Sequence, residues 1–325
     1  MPVGLGGAWE IRKRNFPDLV HFSAPSVIKY DTEWYSNTSS SFVPISVTGR
    51  ECGLRCDHCN SRILESMIPA TTPADLILLA DKLAAAGCRG LLLSGGAGRC
   101  GSVPLGGFAE AIFSIKQKHG LLVAAHTGLV DDTLASKLAA ARLDMAMVDV
   151  IGSEATIRNV YHLDASPEDC IASVKRLRSK GIPVAPHVVL GLDYGRLGGE
   201  VHALHALSGC DIQALVLVVI MPLRGTPMAG VKPPDPSELA PVFDLARRLF
   251  PTTHLFLGCA RPAGEYKSRV EILALKAGFN GVAFPSKQAI SLARDLNLRA
   301  VFSDVCCALS ALGNAGGSAG EARHS

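Results

Sequence analysis

Three cysteines close together in the chain are the residues best suited to chemistry. Cys52, Cys56 and Cys59 are spaced CxxxCxxC. Three thiolates can hold three irons of a cubane [4Fe–4S] cluster and leave the fourth iron without a protein ligand. A structural cluster normally takes four cysteines, so this spacing favours a cluster with one iron open for chemistry.

A zinc site is the alternative for the same three thiols. Structural zinc takes four ligands, commonly completed by a second CxxC pair or by a pair of histidines. Neither lies nearby in the sequence. The spacing therefore indicates an iron–sulfur cluster, and zinc is kept as the alternative.

The composition is compatible with metal chemistry inside a cell. The 325 residues include ten cysteines, and 32 Lys plus Arg against 29 Asp plus Glu give a net charge of +3. There is no secretory signal, no apolar run of the roughly 20 residues that a membrane helix needs, and no dense basic run typical of nucleic-acid binding. We expect a cytoplasmic protein with no membrane or nucleic-acid partner, whose cysteines serve metal or redox chemistry rather than disulfides.

Strand-like and helix-like segments alternate along the chain, which predicts parallel strands. Eight such units are typical of an α/β fold, the (βα)8 TIM-type barrel. Residues 1–42 are predicted as an N-terminal extension, 43–302 as the barrel, and 303–325 as a C-terminal segment with a disordered tail. The predicted strands are Val43–Thr48, Gly90–Ser94, Leu121–His126, Asp144–Val150, Pro183–Gly191, Ala214–Met221, His254–Gly258 and Gly281–Phe284. The predicted helices are Ala74–Ala86, Asp131–Ala141, Ser166–Lys180, Gly199–Leu207, Asp235–Phe250, Tyr266–Ala277 and Ser286–Leu296.

A barrel of this kind has its active site at the carboxyl ends of the strands, and the three-cysteine loop directly follows the first strand. Polar residues or glycine stand near the ends of other strands: His126, Thr127, Asp149, His187 and Gly191. A single histidine in a strand is more often a hydrogen-bonded core or rim residue. Several polar strand ends around one rim favour a pocket.

The other cysteines separate by their predicted positions. Cys259 directly follows the seventh strand, and Cys306 and Cys307 lie in a segment that we expect to fold back across the barrel mouth. With Cys100, after the second strand, they are candidates for a second [4Fe–4S] cluster. The alternative is that Cys306 and Cys307 pack beneath the tail. The remaining three are predicted to be small hydrophobic residues in or beside outer helices: Cys88, Cys170 and Cys210.

The three-cysteine loop resembles that of the radical S-adenosylmethionine (radical SAM) superfamily. The resemblance implies that the open iron binds S-adenosylmethionine, whose reductive cleavage yields a 5′-deoxyadenosyl radical. His58 stands where the family commonly has an aromatic residue, and Ser94-Gly95-Gly96 resembles the glycine-rich motif that meets the methionine part of the cofactor, although Ala97 replaces its usual acidic residue. The cofactor-binding candidates are His58, Ser94, Gly95, Gly96, His126, Thr127, Asp149, His187 and Gly191.

Over most of its length the sequence resembles biotin-synthase-like proteins, and particularly the two-protein lipoyl synthases. The points of likeness are Val47-Thr48-Gly49, Cys56-Asp57-His58-Cys59, His126-Thr127-Gly128-Leu129-Val130-Asp131, Val160-Tyr161-His162-Leu163, Met221-Pro222, Gly225-Thr226 and Gly258-Cys259-Ala260-Arg261-Pro262.

This resemblance implies sulfur insertion into a C–H bond of an octanoyl chain on a lysine of a carrier protein, with a second [4Fe–4S] cluster as the sulfur donor. It also implies an electron donor such as ferredoxin or flavodoxin and a second radical SAM partner protein. The ligands expected for the second cluster are Cys259, Cys306 and Cys307. A biotin synthase or another relative is the alternative enzyme, and a non-enzymatic iron–sulfur protein is the alternative from another class.

Overall fold

The computed structural model describes residues 5–312. The tail predicted to be disordered, from Gly313 to Ser325, lies outside the described residues. Within residues 5–312 no helix is both long enough and apolar enough to cross a membrane.

Eleven strands among the described residues form two sheets in which every pairing is parallel. The first has the order β11-β1-β10-β9-β8-β7 and the second β3-β2-β4-β5-β6, and parallel bridges Ala146–Val184 and Asp149–His187 join β6 to β7. The predicted parallel barrel fold is confirmed, and all eight predicted strands are present. The strands are β1 Leu19–Ser23, β2 Phe42–Ser46, β3 Ile68–Pro69, β4 Gly90–Ser94, β5 Leu122–His126, β6 Met145–Met147, β7 His187–Leu190, β8 Ala214–Val219, β9 His254–Leu257, β10 Gly281–Ala283 and β11 Arg299–Ser303.

Two strands that were not predicted, β1 and β11, extend the first sheet beyond β10. β1 pairs with both β10 and β11, so residues predicted as an N-terminal extension contribute a strand to the barrel wall. Side chains in segments that flank the strands link the first sheet to the second. The backbone N–H of Phe42 donates to Ser26 Oγ (3.0 Å), and Arg89 pairs with Asp304 (2.8 Å).

The helices surround the sheet, and the seven predicted helices are found within about two residues of their predicted ends. Thr72, Ser166 and Ser286 precede α2, α6 and α10, and the side chain of each accepts a backbone N–H from the first turn of its helix. Of the helices not predicted, α1 and α3 begin without a side-chain cap, and α5 is only seven residues long. The helices are α1 Gly6–Asn15, α2 Pro73–Ala85, α3 Ala109–His119, α4 Asp132–Ala140, α5 Glu154–Val160, α6 Pro167–Ser179, α7 Glu200–Ser208, α8 Pro236–Leu249, α9 Glu265–Lys276 and α10 Lys287–Asp295.

The segment after β11 lies inside the barrel, and the expectation that it folds across the mouth is wrong. Residues 305–311 belong to one buried apolar cluster with inward-facing residues of the strands. Three small residues of this cluster leave room for it: Ala124 within β5, Ala185 just before β7 and Ala214 at the start of β8. Gln213 donates to the carbonyl oxygen of Ala311 (3.1 Å), and Ser310 Oγ contacts Ser23 Oγ (3.3 Å). The segment therefore forms a floor to the barrel lumen.

Candidate active site

The three-cysteine loop leaves β2 through a tight turn. Ser46 Oγ donates to the carbonyl oxygen of Gly49 (2.6 Å), and the backbone N–H of Asn60 donates to that of Cys56 (2.7 Å). Cys56 is 5% exposed, Cys59 is 7% exposed, and Cys52 is half-buried. The loop thus carries its three thiols toward the interior of the barrel mouth.

Contact between Cys56 and Cys59 shifts the pKa values of these two thiols in opposite directions. A hydrogen bond from Cys56, helped by His58, lowers the pKa of Cys59 to about 4, although burial opposes this. The same hydrogen bond and burial raise the pKa of Cys56. Burial disfavours the charged form of His58, but the bond to Cys59 and its charge outweigh this and raise the pKa of His58. The loop therefore favours a thiolate, the form that binds iron.

Gly96 packs directly against this loop. A Cβ atom at position 96 would lie 1.9 Å from the carbonyl oxygen of Glu51 and 2.4 Å from Cα of Cys52. The N–H of Gly96 donates to Thr48 Oγ1 (2.7 Å), and the N–H of Gly53 donates to the Ala97 carbonyl (2.8 Å). The glycine turn after β4 therefore has a role that the sequence did not predict, because it fixes the position of the cysteine loop.

A row of aromatic and polar side chains continues from the cysteine loop across the barrel. The rings of His58 and Tyr161 are 5.0 Å apart, and the Tyr161 hydroxyl donates to Asp149 Oδ2 (3.3 Å). Further along, the rings of His126 and His187 are also 5.0 Å apart. The structure thus brings together side chains from the cysteine loop, β5, β7 and the segments after β6 and α5.

Burial favours the neutral forms of His126, His187 and Tyr161 in this row. Burial lowers the pKa of His187 to about 4, helped by the charge of His126, and it lowers the pKa of His126 as well. Burial also raises the pKa of Tyr161, helped by the charge of Asp149. Nδ1 of His187 lies 3.0 Å from the Ala185 carbonyl, so it donates there and Nε2 is left as an acceptor.

These residues surround one cleft of about 1070 Å³, including its open mouth. Two buried polar atoms on its wall, His58 Nδ1 and Ser61 Oγ, have no hydrogen-bond partner among the described residues. A buried polar atom without a partner is costly unless a ligand satisfies it. The three thiols, the unsatisfied atoms and the size of the cleft fit a three-cysteine cluster with a polar ligand bound beside it.

Most of the predicted cofactor-binding residues line this cleft, namely His58, Ser94, Gly95, Gly96, His126 and Asp149. His187 is adjacent through His126. Thr127 is fully buried, and its hydroxyl donates to the Gly128 carbonyl (2.9 Å). Gly191 faces Pro234, and its N–H donates to Glu200 Oε1 (2.8 Å). The last two residues therefore shape the backbone near the cleft rather than its wall.

Several lining residues were not identified from the sequence. Tyr161 and Leu163 follow α5, a short helix between β6 and α6 that was not predicted. The sequence therefore did not indicate that they reach the cleft. Cys170 was interpreted as a core thiol of the outer ring; it is indeed buried, but it also lines the cleft from α6. The spacing of Cys170 within its helix gives no signal for this.

A second group of cysteines lies elsewhere in the lumen. Cys259, after β9, is exposed to it, Cys306 is half-buried and Cys307 is buried. A hydrogen bond between the last two lowers the pKa of Cys306 and raises that of Cys307. Burial and the charge of Cys306 raise the pKa of Cys259. These three thiols are thus neighbours, whereas Cys100 is exposed beyond the glycine turn after β4.

The loop that carries Cys259 is anchored by a buried ion pair. Arg261 is 4% exposed, and its guanidinium binds Glu271 and the carbonyl oxygens of Gly258 and Ala283. All of these groups belong to β9, β10 and α9 or to the residues that follow them. Arg261 is therefore a structural residue that holds Cys259 beside the lumen.

Neither cysteine group converges on a single point. Within residues 5–312 no three His, Cys, Asp or Glu side chains are arranged to hold one metal ion. In a cubane cluster each thiolate binds its own iron, so convergence is not required.

Comparison with known proteins assigns the cleft to a family. Residues 46–196 match the model of the radical SAM superfamily. The chain is 28% identical over 133 residues to biotin synthase of Chlorobaculum tepidum, covering 41% of the chain and 40% of that protein. It is 29% identical over 165 residues to biotin synthase of Brucella ovis, covering 50% and 49%. The chain thus spans about half or less of the length of these relatives.

Solved structures show the same fold. Methylornithine synthase aligns with a TM-score of 0.59 and 17% identity, covering 87% of the chain and 78% of that structure. HydG, a maturase of the [FeFe]-hydrogenase, aligns with a TM-score of 0.62 and 14% identity, covering 95% and 69%. Residues 46–196, which include every residue of the cleft, thus match the radical SAM superfamily, and the chain is similar to biotin synthases over about half of its length.

Proposed function

We propose that this protein is a radical SAM sulfur-inserting enzyme, one component of a two-protein lipoyl synthase that acts on an octanoyl or mono-thiolated octanoyl lysine. One observation carries the proposal. Cys259, Cys306 and Cys307 are neighbours inside the same barrel that holds the three-cysteine loop. A second cluster held by these thiols would stand within the lumen, where a substrate radical could reach it.

The wall beside the second cysteine group favours an alkyl substrate. All six residues of β8 are apolar and buried, and the inward-facing residues near them include Met147, Phe256 and Phe284. Such a wall has few hydrogen-bond partners for a polar ring but accommodates a hydrocarbon chain. It also excludes water from a reactive radical.

The residues of the cleft have separate tasks in this proposal. Cys52, Cys56 and Cys59 would hold the first [4Fe–4S] cluster, which supplies the electron for cleavage of S-adenosylmethionine. Gly96 sets the position of the loop, and the unsatisfied His58 Nδ1 and Ser61 Oγ offer hydrogen bonds to a bound ligand. Burial favours the neutral forms of His126, on the cleft wall, and of the adjacent His187, and the proposed reaction needs no acid–base catalyst.

The proposed partners follow from this chemistry. An octanoylated carrier protein would present its lysine at the barrel mouth, and a ferredoxin or flavodoxin would reduce the first cluster. A second radical SAM protein would complete the other sulfur insertion.

A biotin synthase is the second candidate, supported by identities of 25 to 29% to proteins of that name. It also inserts sulfur, but its substrate is dethiobiotin, whose ureido ring is polar. The two candidates therefore differ in the polar contacts that the lumen must supply.

The test is anaerobic reconstitution followed by mass spectrometry with S-adenosylmethionine, a strong reductant, and either an octanoyl-lysyl peptide or dethiobiotin. We expect two [4Fe–4S] clusters and a sulfur-bearing peptide. Cys259→Ala should retain formation of 5′-deoxyadenosine and lose sulfur transfer, while the control Cys210→Ala keeps both. Thiolation of dethiobiotin alone would replace the proposal by biotin synthesis, and undiminished peptide thiolation by Cys259→Ala would remove that cysteine from the second cluster.

A further inference from the structure

Asp57, between two of the cluster cysteines, joins three separate loops. Its Oδ1 lies 2.8 Å from Nε2 of His162, and its Oδ2 accepts a hydrogen bond from the Tyr194 hydroxyl. Its backbone N–H donates to the Val160 carbonyl (2.9 Å), and its carbonyl accepts from Met228 N–H at 3.4 Å. The loops after α5, β7 and β8 therefore meet at one residue of the cysteine loop.

The backbone at these contacts is held in an unfavourable conformation. His162 has φ +55° and Tyr194 has φ +48°, in the left-handed region that non-glycine residues rarely adopt. Such conformations persist when surrounding contacts enforce them. The hydrogen bond to Asp57 raises the pKa of Tyr194, so its hydroxyl remains a donor at neutral pH.

The contacts outside the cleft are continuous with the wall inside it. Asp57 precedes His58 and His162 follows Tyr161 in the chain, and the rings of His58 and Tyr161 form adjacent parts of the cleft wall, 5.0 Å apart. The Cys56 thiol also points at the Tyr161 carbonyl oxygen (3.8 Å). The outer pair Asp57–His162 therefore fixes the spacing of the inner pair His58–Tyr161.

We infer that Asp57 is a positioning residue for S-adenosylmethionine, because it holds the loops of His162 and Tyr194 against the cysteine loop and so sets the His58–Tyr161 wall. The inference rests on the radical SAM assignment of the cleft and not on the octanoyl substrate. Loss of Asp57 should therefore weaken the binding of S-adenosylmethionine. It should not change iron incorporation, which depends on the three thiols.

The test measures S-adenosylmethionine affinity and the electron paramagnetic resonance spectrum of the reduced cluster, with no octanoyl substrate present. Asp57→Ala should raise the Kd by about 10-fold, because it removes the hydrogen bonds to His162 and Tyr194 that hold their loops in place. Its iron content should stay unchanged, and the spectral change on adding the cofactor should be weakened. Hydrogen exchange at residues 160–163 and 191–196 should rise even without the cofactor.

Matched variants separate positioning from a general loss of structure. Asn at position 57 retains an acceptor for Tyr194 and offers an amide N–H to His162, so Asp57→Asn should restore the affinity to within about 3-fold of the wild type. Tyr194→Phe and His162→Gln, which each remove one contact, should give intermediate affinities. Arg196→Ala, which removes an ion pair with Asp193 in the same loop (3.0 Å), is the control.

Two results would overturn the inference. One is wild-type affinity and spectrum in Asp57→Ala; the other is a Kd in Asp57→Asn as weak as in Asp57→Ala. If Asp57→Ala does not fold, the two single-contact variants decide the question, and wild-type affinity in both rejects it. Failure of sulfur insertion with a normal result here would reject the proposed substrate and leave the role of Asp57 intact.

Discussion

Gly96 shows how a residue outside the cysteine motif governs the site. The motif supplies the thiols, but their position depends on a glycine after β4 that leaves no room for a side chain beside Glu51 and Cys52. The spacing of the three cysteines predicts that they are cluster ligands, because an iron–sulfur cluster needs thiols at such a spacing. It does not predict this contact, because two segments more than 40 residues apart meet only in the fold.

Gly96→Ala should therefore displace the cysteine loop. Its Cβ would lie 1.9 Å from a backbone oxygen, and overpacking of this kind costs about 1–3 kcal/mol or more of folding free energy. We expect reduced iron content and loss of 5′-deoxyadenosine formation. Gly98→Ala is the matched control, because its nearest neighbour would be 3.9 Å away. Equal iron content and activity in the two variants would show that the close approach has no consequence.

His187 should make the stability depend on pH. Its pKa is lowered from 6.5 to about 4 by burial and by His126, so the unfolded chain binds this proton more readily than the folded protein does. The stabilisation is fully present above pH 6.5 and is lost as pH falls toward 4, by roughly 3 kcal/mol. Denaturant titrations of the wild type between pH 4 and 8 measure this loss.

His187→Asn should flatten that pH dependence, whatever it costs at neutral pH. His205→Asn, at an exposed position on α7, is the control and should keep the wild-type slope. A variant at position 187 whose stability falls as steeply as that of the wild type would mean that His187 is not protonated on unfolding.

At the scale of elements, the sequence predicts the strands and helices whose formation depends on neighbouring residues in the chain. β-branched runs and capped helices such as α6, which begins with a capping box at Ser166, are recognisable because their signals are local. β1 and β11 were missed because their place in the sheet depends on pairing between distant segments: β1 lies between β10 and β11. The path of residues 305–311 into the lumen was also missed, since it depends on small residues contributed by three distant strands.

The floor segment should contribute strongly to stability. Val305 and Leu309 are fully buried, and burial of two such side chains stabilises the fold by roughly 3–6 kcal/mol. Truncation after Ser303 should lower the free energy of unfolding by at least this amount. Truncation after Leu312 removes none of the described contacts and serves as the control. Equal denaturation midpoints for the two truncations would show that the segment does not pack in the lumen in solution.

At the scale of the whole molecule, the barrel separates two kinds of cysteine site. The loop after β2 forms an open cleft with side chains from β4 to α6, whereas the floor segment lies beside the apolar wall of β8 to β10. One lumen thus holds the cleft of the three-cysteine loop and a second group of thiols. The motif predicts the first site, and the resemblance to biotin-synthase-like proteins names the cysteines of the second group. Only the fold shows how residues 305–311 enter the lumen.

The most direct test of this account is the yield of 5′-deoxyadenosine and methionine when the reconstituted, reduced protein is given S-adenosylmethionine. The wild type and the control Cys210→Ala should form both products, while Cys56→Ala should form neither, because the first cluster loses one of its three ligands. Full cleavage activity in Cys56→Ala, or none in a wild-type protein that carries its cluster, would contradict the radical SAM assignment of the cleft.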